Sequence, residues 1–452
     1  MCLLLLVVSA LLYSLPFLFS DQLWWLIFAF PIPLLYVTRT TSLSFIHGYI
    51  WGCVTFVLHL SGGIYIIASM AHESWLIGVA IGIAMVLYQA LLPAILFWCV
   101  VRIVYTFSVQ SPVIRLFMWT IALWLFIIWV DWYSMWIFGT QEGYPLMHPL
   151  ILLAQKPFLL CLLPVVGKQV LTGLFLLVPA SCVLLLWYKN YRALLFFCTV
   201  VAPWIWCWWV GGAEAQQLHW HTKVKSLPYM AYSTVHNPIV VVKVVANQLK
   251  KIIAQYPDTE IIIMPESAFN VSNFAEFPEL LQLWNEDCLG KTVHIVFGAA
   301  RWHNGNYYNT LHWVHNGVLQ DCYDKRHAMV VSERLPGNSG VLRHVCFARV
   351  TLPIVASSCR RIKLALLKNV SFVPYICSEL FFNELPDDNH GSIPIIAVIN
   401  DSLFMGSAYS AYIQKILVLL TRFKAIQWQR EIVYVSYAQS LFIDTQGFLQ
   451  NM

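Results

Sequence analysis

The pattern of apolar and polar residues changes near residue 210: long apolar segments precede it, and short alternating segments follow it. A helix needs about 20 apolar residues to cross a bilayer, and the first half of the chain holds a series of segments near that length. Short polar or Pro-containing interruptions separate them, which predicts loops. We predict seven membrane spans, at residues 2–19, 22–37, 43–70, 75–101, 113–138, 170–187 and 193–210.

The second half alternates between patterns typical of strands and of helices. Residues 237–256 have apolar positions at helical spacing, and residues 408–428 form a second amphipathic segment. Asn316-Gly317 separates two strand-like segments and predicts a hairpin turn. Further strands are predicted in EIIIMPES, HIVFGAARW, RIKLALLKNVSFVPYICSE, SIPIIAVINDSLF and IVYVSYAQSLFIDTQGFLQ, the last read as two strands around Thr445-Gln446-Gly447.

This alternation predicts an α/β domain in which helices pack on sheets. We therefore predict two domains, a transmembrane helical bundle over residues 1–212 and an α/β domain over residues 219–452.

Composition supports a membrane protein. The chain is 59% hydrophobic and 11% charged, whereas soluble domains carry about 25% charged residues. Aromatic residues reach 15%, which is typical of rings placed at membrane interfaces. The net charge of +5 is small for 452 residues and no basic block stands out, so we expect no nucleic-acid partner.

The distribution of Lys and Arg between the loops predicts which side of the membrane the α/β domain occupies. Basic residues are enriched in short cytoplasmic loops. This bias places the N-terminus inside and, after seven spans, the α/β domain outside, which in a bacterium means the periplasmic side of the inner membrane. The loops after even-numbered spans hold Arg39, Arg102, Arg115, Lys189 and Arg192, and the loops after odd-numbered spans hold Lys156 and Lys168.

Three chemically active residues each lie where a predicted strand ends. Glu266 ends EIIIMPE, Lys325 follows VLQDCYD, and Cys377 ends VPYIC. In α/β sheets, functional groups collect at one set of strand ends. A thiol, a carboxylate and an ammonium group there predict an acyl-transfer site, with nucleophile, general base and oxyanion stabiliser.

Each of these residues also has a purely structural interpretation. Glu266 could lie at a helix N-terminus, Lys325 could be a surface charge, and Cys377 could be a small buried apolar residue. Their combination, in this order along the chain, is what favours catalysis.

Other polar residues receive structural interpretations. His312 and His315 are three apart on a predicted strand, so they face opposite sides, and we predict no metal site and no other cofactor. Asn400-Asp401 is interpreted as a capping pair for the helix near residue 408. A disulfide is left open among Cys288, Cys322, Cys346 and Cys359.

Four segments in order resemble motifs of the carbon–nitrogen hydrolase (nitrilase) superfamily, and with the preceding spans the chain resembles its membrane-anchored branch, the apolipoprotein N-acyltransferases. The resemblance implies Glu266 as general base, Lys325 and Cys377 as the other members of a catalytic triad, and Glu333 and Glu379 as accessory residues. The segments are MPESAF, YDKRHAMVVSERLP, PYICSELFF and NDSLF.

The resemblance also implies a fold and a reaction. The fold is an N-terminal α-helical membrane bundle followed by a nitrilase-like αββα sandwich. In the reaction, a phospholipid donates an acyl chain to Cys377 as a thioester, and the N-terminal amine of a lipoprotein accepts it. Loops 334–345 and 383–391 are expected to form a groove for acyl chains.

The chain departs from the family pattern at three places. Ser378 replaces the usual Tyr, the segment before Glu333 lacks Pro-Phe-Gly, and no eighth span follows the last strands before Met452. The sandwich is therefore expected to be short at its C-terminus.

Two alternatives stay open. The chain is also similar to conjugal-transfer proteins of the TraB type, which implies an amidase or acyltransferase with another substrate. It could also be a non-catalytic membrane platform.

Overall fold

The computed structural model of the chain divides into two compact units, one built mainly from residues 1–213 and the other mainly from residues 214–410 and 424–452. The residues that it describes are 1–40, 43–70, 75–107, 111–138, 148–188, 192–210, 221–228, 238–269, 278–327, 364–367, 370–381, 393–402 and 410–452.

The described part of the first unit is helical, because its long apolar segments can satisfy their backbone groups only within a helix if they lie in lipid. Short 3-10 turns at Trp24–Phe28 and Pro157–Leu160 connect some of the helices. The helices are α1 (Cys2–Leu18), α2 (Ser20–Leu23), α3 (Pro31–Thr40), α4 (Phe45–Met70), α5 (Trp75–Thr106), α6 (Pro112–Phe138), α7 (Pro149–Leu153), α8 (Leu163–Tyr188) and α9 (Arg192–Val210).

Within the described residues, three segments are helical, long and apolar enough to cross a membrane: Gly82–Thr106, Val113–Asp131 and Leu163–Leu186. Shorter apolar helices cover Cys2–Leu18, Phe45–His59 and Leu194–Trp206, and a further apolar helical segment, Trp24–Thr38, is interrupted by turn residues at 29–30. Membrane association is therefore supported, whereas the total of seven spans and the side on which the α/β domain lies stay predictions.

The segment predicted as the second span is broken rather than continuous. It consists of α2, the 3-10 turn Trp24–Phe28, and α3. Pro31 and Pro33 explain the break, because proline lacks an N–H and restricts the residue before it.

A buried ion pair joins α6 to α8. The ammonium group of Lys168 lies 2.5 Å from Asp131 Oδ2, and His148 Nε2 lies 3.6 Å from the same oxygen. The sequence analysis counted Lys168 as a loop residue. It directly follows Gly167, whose non-helical φ of 77° and ψ of 166° interrupt α8, and it is buried, with 8% of its surface exposed. Lys168 therefore does not contribute to the loop charges that predict orientation.

The second unit contains two mixed sheets in its described residues. In the five-stranded sheet, ordered β1-β2-β3-β4-β5, the first three strands are parallel and the last three antiparallel. In the six-stranded sheet, ordered β11-β10-β9-β8-β7-β6, the neighbouring pairs β7–β8 and β8–β9 are parallel and the other neighbouring pairs are antiparallel. The strands are β1 (Val224–Ser226), β2 (Ile261–Ile263), β3 (His294–His303), β4 (Asn306–His315), β5 (Val318–Asp324), β6 (Leu364–Leu367), β7 (Val370–Ile376), β8 (Ile395–Val398), β9 (Ile432–Val435), β10 (Ser440–Ile443) and β11 (Leu449–Asn451).

The two sheets pack face to face around an apolar core. Val296, Leu311 and Tyr323 contribute from the first sheet, and Phe372 and Ile376 from the second. A second core covers the outer face of the first sheet, where helix α10 (Pro238–Gln255) and the short helices α11 (Pro278–Leu281) and α12 (Glu286–Leu289) pack.

The outer face of the second sheet carries the end of helix α13 (Ser410–Trp428), where Trp428 packs on Tyr375 with ring centroids 5.4 Å apart. Within the second unit the order of layers is therefore helices α10–α12, the first sheet, the second sheet and the C-terminal end of α13 (424–428).

Hairpin turns account for the antiparallel half of the first sheet. Asn316-Gly317 forms the predicted turn, and both residues have positive φ (48° and 74°), as this tight turn requires. A second turn of the same kind at Asn304-Gly305 joins β3 to β4. The C-terminal segment forms three strands rather than the two predicted, because a turn at 436–439 separates β9 from β10.

Gly298 allows the segment after β2 to lie directly against β3. A Cβ atom at this position would stand 2.5 Å from Ser267 N and 2.7 Å from Glu266 Cα. These are backbone atoms, so a side chain at Gly298 cannot be accommodated by rotating a neighbour.

We therefore expect Gly298→Ala to lower the free energy of unfolding of the second unit by about 1–3 kcal/mol, through overpacking. Thermal unfolding in detergent measures this change. Ala300→Ser, two residues further along the same strand at a half-buried position, should leave the midpoint nearly unchanged. Equal midpoints for Gly298→Ala and the unsubstituted protein would contradict the close approach.

Candidate active site

The site lies at one edge of the two sheets, where strands running in the same direction end. Glu266 follows β2, Lys325 follows β5, and Cys377 follows β7. Asn400 follows β8 by two residues. Strands β2 and β3 are parallel, and β5 shares their direction because two antiparallel pairings separate it from β3.

Glu266 is a buried carboxylate with three hydrogen-bond donors. The side-chain amide of Asn309 donates to its Oε1 at 2.7 Å, and Lys325 Nζ donates to the same oxygen at 3.1 Å. The backbone N–H of Asn400 donates to Oε2 at 2.8 Å. With 4% of its surface exposed, Glu266 is held by tertiary contacts, so the helix N-terminus interpretation is wrong.

Lys325 is more deeply buried than Glu266, with 1% of its surface exposed. Its ammonium group forms an ion pair with Glu266, and its backbone N–H donates to Asn309 O at 2.8 Å. The surface-charge interpretation of Lys325 is therefore wrong. A buried ammonium needs such a partner, because removing a charge from water without compensation is costly.

Cys377 lies in a strained turn at the end of β7. Its φ is 47°, a left-handed conformation that costs a non-glycine residue about 1–3 kcal/mol. Ser267, which follows Glu266, has a φ of 54°. Cys377 is partly exposed and contacts the core between the sheets. Strained turns that present a nucleophile are common at active sites.

The carboxylate of Glu379 ties the Cys377 turn to the end of β5. Its Oε1 accepts from the Tyr323 hydroxyl at 2.6 Å and from the Arg326 N–H at 2.9 Å. Its Oε2 accepts from the Ile376 N–H at 2.7 Å. One fully buried side chain therefore binds Tyr323, two residues before Lys325, the residue after Lys325, and the residue before Cys377.

A second network supports Glu266 from the six-stranded sheet. The Tyr437 hydroxyl donates to Glu266 O at 2.8 Å, and the Tyr437 N–H donates to Asp401 Oδ1 at 3.0 Å. Burial raises the pKa of the Asp401 carboxyl, and hydrogen bonds from Ser436 and Tyr437 oppose that rise. The pKa of Tyr437 is also raised, by burial and then by the charge of Glu266.

The described residues thus bring four predicted site residues to one edge. Glu266 and Lys325 are in direct contact, and Glu379 links the neighbours of Lys325 to the neighbour of Cys377. Glu333, the loops 334–345 and 383–391, and Cys346 and Cys359 lie outside the described residues.

The sequence analysis missed three residues that position the site, namely Asn309, Tyr323 and Tyr437. Asn309 gave one usable signal, since an amide in an apolar strand needs a partner once it is buried. Asn400-Asp401 was interpreted as a cap for the helix near residue 408. Among the described residues its groups bond to Glu266, Ser402 and Tyr437. Residues 403–409, which precede the helix, lie outside the described residues, so the capping role stays a prediction.

The two histidines considered as metal ligands face opposite sides of β4, as predicted. The His312 ring stacks on Phe297 at 5.2 Å, and the His315 ring stacks on His294 at 4.1 Å. Burial lowers the pKa of His312 to about 4. Across the part of the chain that the structure describes, no three His, Cys, Asp or Glu side chains are grouped so that they could hold a metal ion.

This arrangement supplies the groups that acyl transfer needs. A carboxylate can accept the proton of a thiol, and a fixed ammonium can stabilise the negative charge that develops on a carbonyl oxygen. A thiol on a strained, partly exposed turn can reach a substrate.

No protein-family model and no curated protein sequence matches the chain. Among solved structures, it is similar to a Saccharomyces cerevisiae member of branch 10 of the nitrilase superfamily, at 17% identity and a TM-score of 0.34, over 47% of this chain and 79% of that one. A carbon–nitrogen hydrolase from Helicobacter pylori aligns at 12% identity and a TM-score of 0.35, over 49% and 81%. A CN-hydrolase superfamily protein from Xanthomonas campestris, with an arsenic adduct in its active site, aligns at 20% identity and a TM-score of 0.33, over 48% of this chain and 80% of that one. Identities and TM-scores this low assign no activity to the chain.

Proposed function

We propose that the protein is a membrane acyltransferase that works through a thioester on Cys377. The observation that carries this proposal is the buried Glu266–Lys325 pair, held by Asn309 and by the Asn400 N–H at the sheet edge where the Cys377 turn lies. The resemblance of the four sequence segments to carbon–nitrogen hydrolase motifs points to the same chemistry.

The first half-reaction transfers an acyl group from a phospholipid ester to the thiol. Glu266 accepts the thiol proton while sulfur forms a bond to the ester carbonyl carbon, and Lys325 stabilises the oxyanion. The carbon–oxygen bond then breaks. The leaving alkoxide takes the proton from Glu266 and departs as a lysophospholipid.

The second half-reaction passes the acyl group to an amine. The amine nitrogen attacks the thioester carbonyl carbon, and Glu266 accepts the amine proton. The carbon–sulfur bond breaks, and the proton returns to the thiolate. The N-terminal amine of a lipoprotein is the proposed acceptor, since donor and acceptor would then both be anchored in the bilayer that the apolar helices suit.

Amide hydrolysis is the principal alternative, because the same three residues could deliver water to the thioester. A TraB-like role in conjugation would belong to this group or would use another amine. Both alternatives keep Cys377 as the nucleophile, so they differ from the proposal in donor and acceptor rather than in the first covalent step.

Cys377→Ala should abolish formation of an acyl-enzyme while leaving the protein folded and inserted, because among the described residues of the site Cys377 alone carries a thiol. Intact mass spectrometry after incubation with phospholipid measures the adduct, and hydroxylamine should remove it because thioesters are labile to that reagent.

Cys288→Ala provides a matched control, since Cys288 lies on α12, away from the site edge. It should keep the adduct. An adduct that persists in Cys377→Ala would overturn the assignment of the nucleophile. Absence of any phospholipid-derived adduct in the folded protein, combined with turnover of small amides, would favour hydrolysis.

The Glu266–Lys325 pair permits a test that separates stability from activity. Lys325→Met leaves a buried carboxylate without its cation, which should cost about 3–5 kcal/mol of unfolding free energy. Adding Glu266→Gln should recover part of that loss, because the remaining amide is uncharged. Acyl-enzyme formation should stay abolished in both single variants and in the double variant.

Lys223→Met is the control for this test. Lys223 pairs with Glu260 at 2.6 Å, but both side chains are about two-fifths exposed, so loss of that pair should change stability by less than about 1 kcal/mol. Recovery of activity together with stability in the double variant would mean that the pair is structural only.

The Glu379 carboxylate should be needed to position the thiol. Glu379→Gln replaces one acceptor oxygen by an NH2 group, so at least one of its three donors faces another donor. Tyr323→Phe removes a single donor and should cost about 1.5–3 kcal/mol.

Both changes should slow acyl-enzyme formation, Glu379→Gln more than Tyr323→Phe, as rates of adduct growth would show. Tyr256→Phe removes an exposed hydroxyl bonded to Gln255 and should have no effect. Unchanged rates in Glu379→Gln would mean that this carboxylate does not position Cys377.

A further inference from the structure

The β3–β4 hairpin extends past Glu266 at the end of the two sheets where Glu266, Lys325 and Cys377 lie. Gly298 lies against Glu266, whereas β3 continues to His303 before the turn at Asn304-Gly305. Five further residues of β3 therefore project past this contact, about 15 Å of strand. The hairpin tip lies beside the site without belonging to the Glu266–Lys325 pair.

Strand alternation assigns the side chains of the hairpin to two faces. Gly298 and Leu311 are directly paired, and both belong to the face that meets the second sheet. The next pair on that face is Ala300 with Asn309, whose amide binds Glu266. The pair after that is Trp302 with Tyr307.

Trp302 and Tyr307 form an aromatic pair on the catalytic face. Their ring centroids are 6.4 Å apart at an angle of 55°. Trp302 is 42% exposed, and Tyr307 is half-buried. Tyr307 and Asn309 are two residues apart on one strand and point the same way, so their Cα atoms are separated by about 7 Å.

Contacts on the opposite face hold the hairpin in place. The Arg301 guanidinium binds both oxygens of Asp324 across β4, with Nε at 3.0 Å from Oδ1. The Thr310 hydroxyl donates to the same Oδ1 at 2.6 Å. Arg301 also lies over the Tyr308 ring at 5.6 Å. Bidentate Arg–carboxylate pairs fix geometry, so the aromatic pair is presented by a braced hairpin.

We propose that Trp302 and Tyr307 form one wall of the subsite that binds the apolar chain of the acyl donor. The inference rests on the proposed function and adds to it the residues that contact the acyl chain and select for its length. A pair of large rings offers extensive apolar surface, and burying that surface against a hydrocarbon chain is favourable. The charge of Arg301 is directed to the other face and is matched by Asp324, so it does not favour a charged substrate group here.

The first test compares acyl chain lengths. Trp302→Ala and Tyr307→Ala should lower kcat/KM for acyl-enzyme formation from a palmitoyl thioester about tenfold or more, because each removes apolar contact area. Rates with the acetyl thioester should stay within about twofold, since an acetyl group does not reach the pair. His303→Ala, at an exposed position of the same tip on the opposite face, should behave like the unsubstituted protein.

The second test does not depend on catalysis. Cys377→Ala protein in nanodiscs is irradiated with a palmitoyl probe that carries a diazirine on its chain, and labelled peptides are identified by mass spectrometry. The peptide that contains Trp302 and Tyr307 should be labelled, and Trp302→Ala should reduce that labelling severalfold while His303→Ala should not.

The outcomes separate the two proposals. Labelling at the hairpin tip without any acyl-enzyme in the unsubstituted protein would retain the chain-binding wall and reject the transferase chemistry. Equal losses of kcat/KM for the acetyl and palmitoyl thioesters, or no label in the peptide that contains Trp302 and Tyr307, would contradict the proposal that these rings bind the acyl chain.

Discussion

A carboxylate and an ammonium group buried together at the edge of two sheets constrain the rest of the site. Neither Glu266 nor Lys325 could be buried alone at an acceptable cost. Each follows a different strand, so the pair forms only when β2 and β5 end at the same level. Gly298 is part of this constraint, because a side chain there would displace the backbone that carries Glu266.

Glu379 connects the end of β5, where Lys325 lies, to β7 of the second sheet. Its acceptor oxygens are satisfied by groups from β5 and β7 and from the residue after Lys325. Because these donors include the backbone N–H groups of Ile376 and Arg326, they fix the main chain directly before Cys377 and directly after Lys325. The left-handed φ of Cys377 is tolerated at this point, where surrounding hydrogen bonds determine the backbone. The geometry at Cys377 therefore depends on the carboxylate of Glu379.

The spacing of apolar residues and the turn residues were enough to predict the helix, hairpin and strands that carry the site residues. Helix α10, the Asn316-Gly317 hairpin and the strands before Glu266 and Cys377 follow from apolar spacing and turn residues. The hydrogen-bond partners of Glu266 could not be predicted from such local signals. Asn309 and Tyr437 are separated from Glu266 by 43 and 171 residues along the chain, and no local rule connects them. The same limit explains Lys168, which looked like a loop charge until its partner Asp131 on another helix was known. Pro31 and Pro33 were a local signal for the break in the second predicted span. The prediction used only the length of the apolar segment and did not use this signal.

The proposed chemistry leaves the choice between water and an amine to residues outside the triad. Glu266 could accept a proton from either nucleophile, and Lys325 would stabilise the same oxyanion in both cases. Selection must then come from what surrounds the thioester and limits the access of water. A long acyl chain packed against Trp302 and Tyr307 would itself cover part of the site edge, because those rings lie one side-chain pair beyond Asn309. In that arrangement the donor chain contributes to excluding water, so the aromatic pair would favour aminolysis as well as long-chain donors.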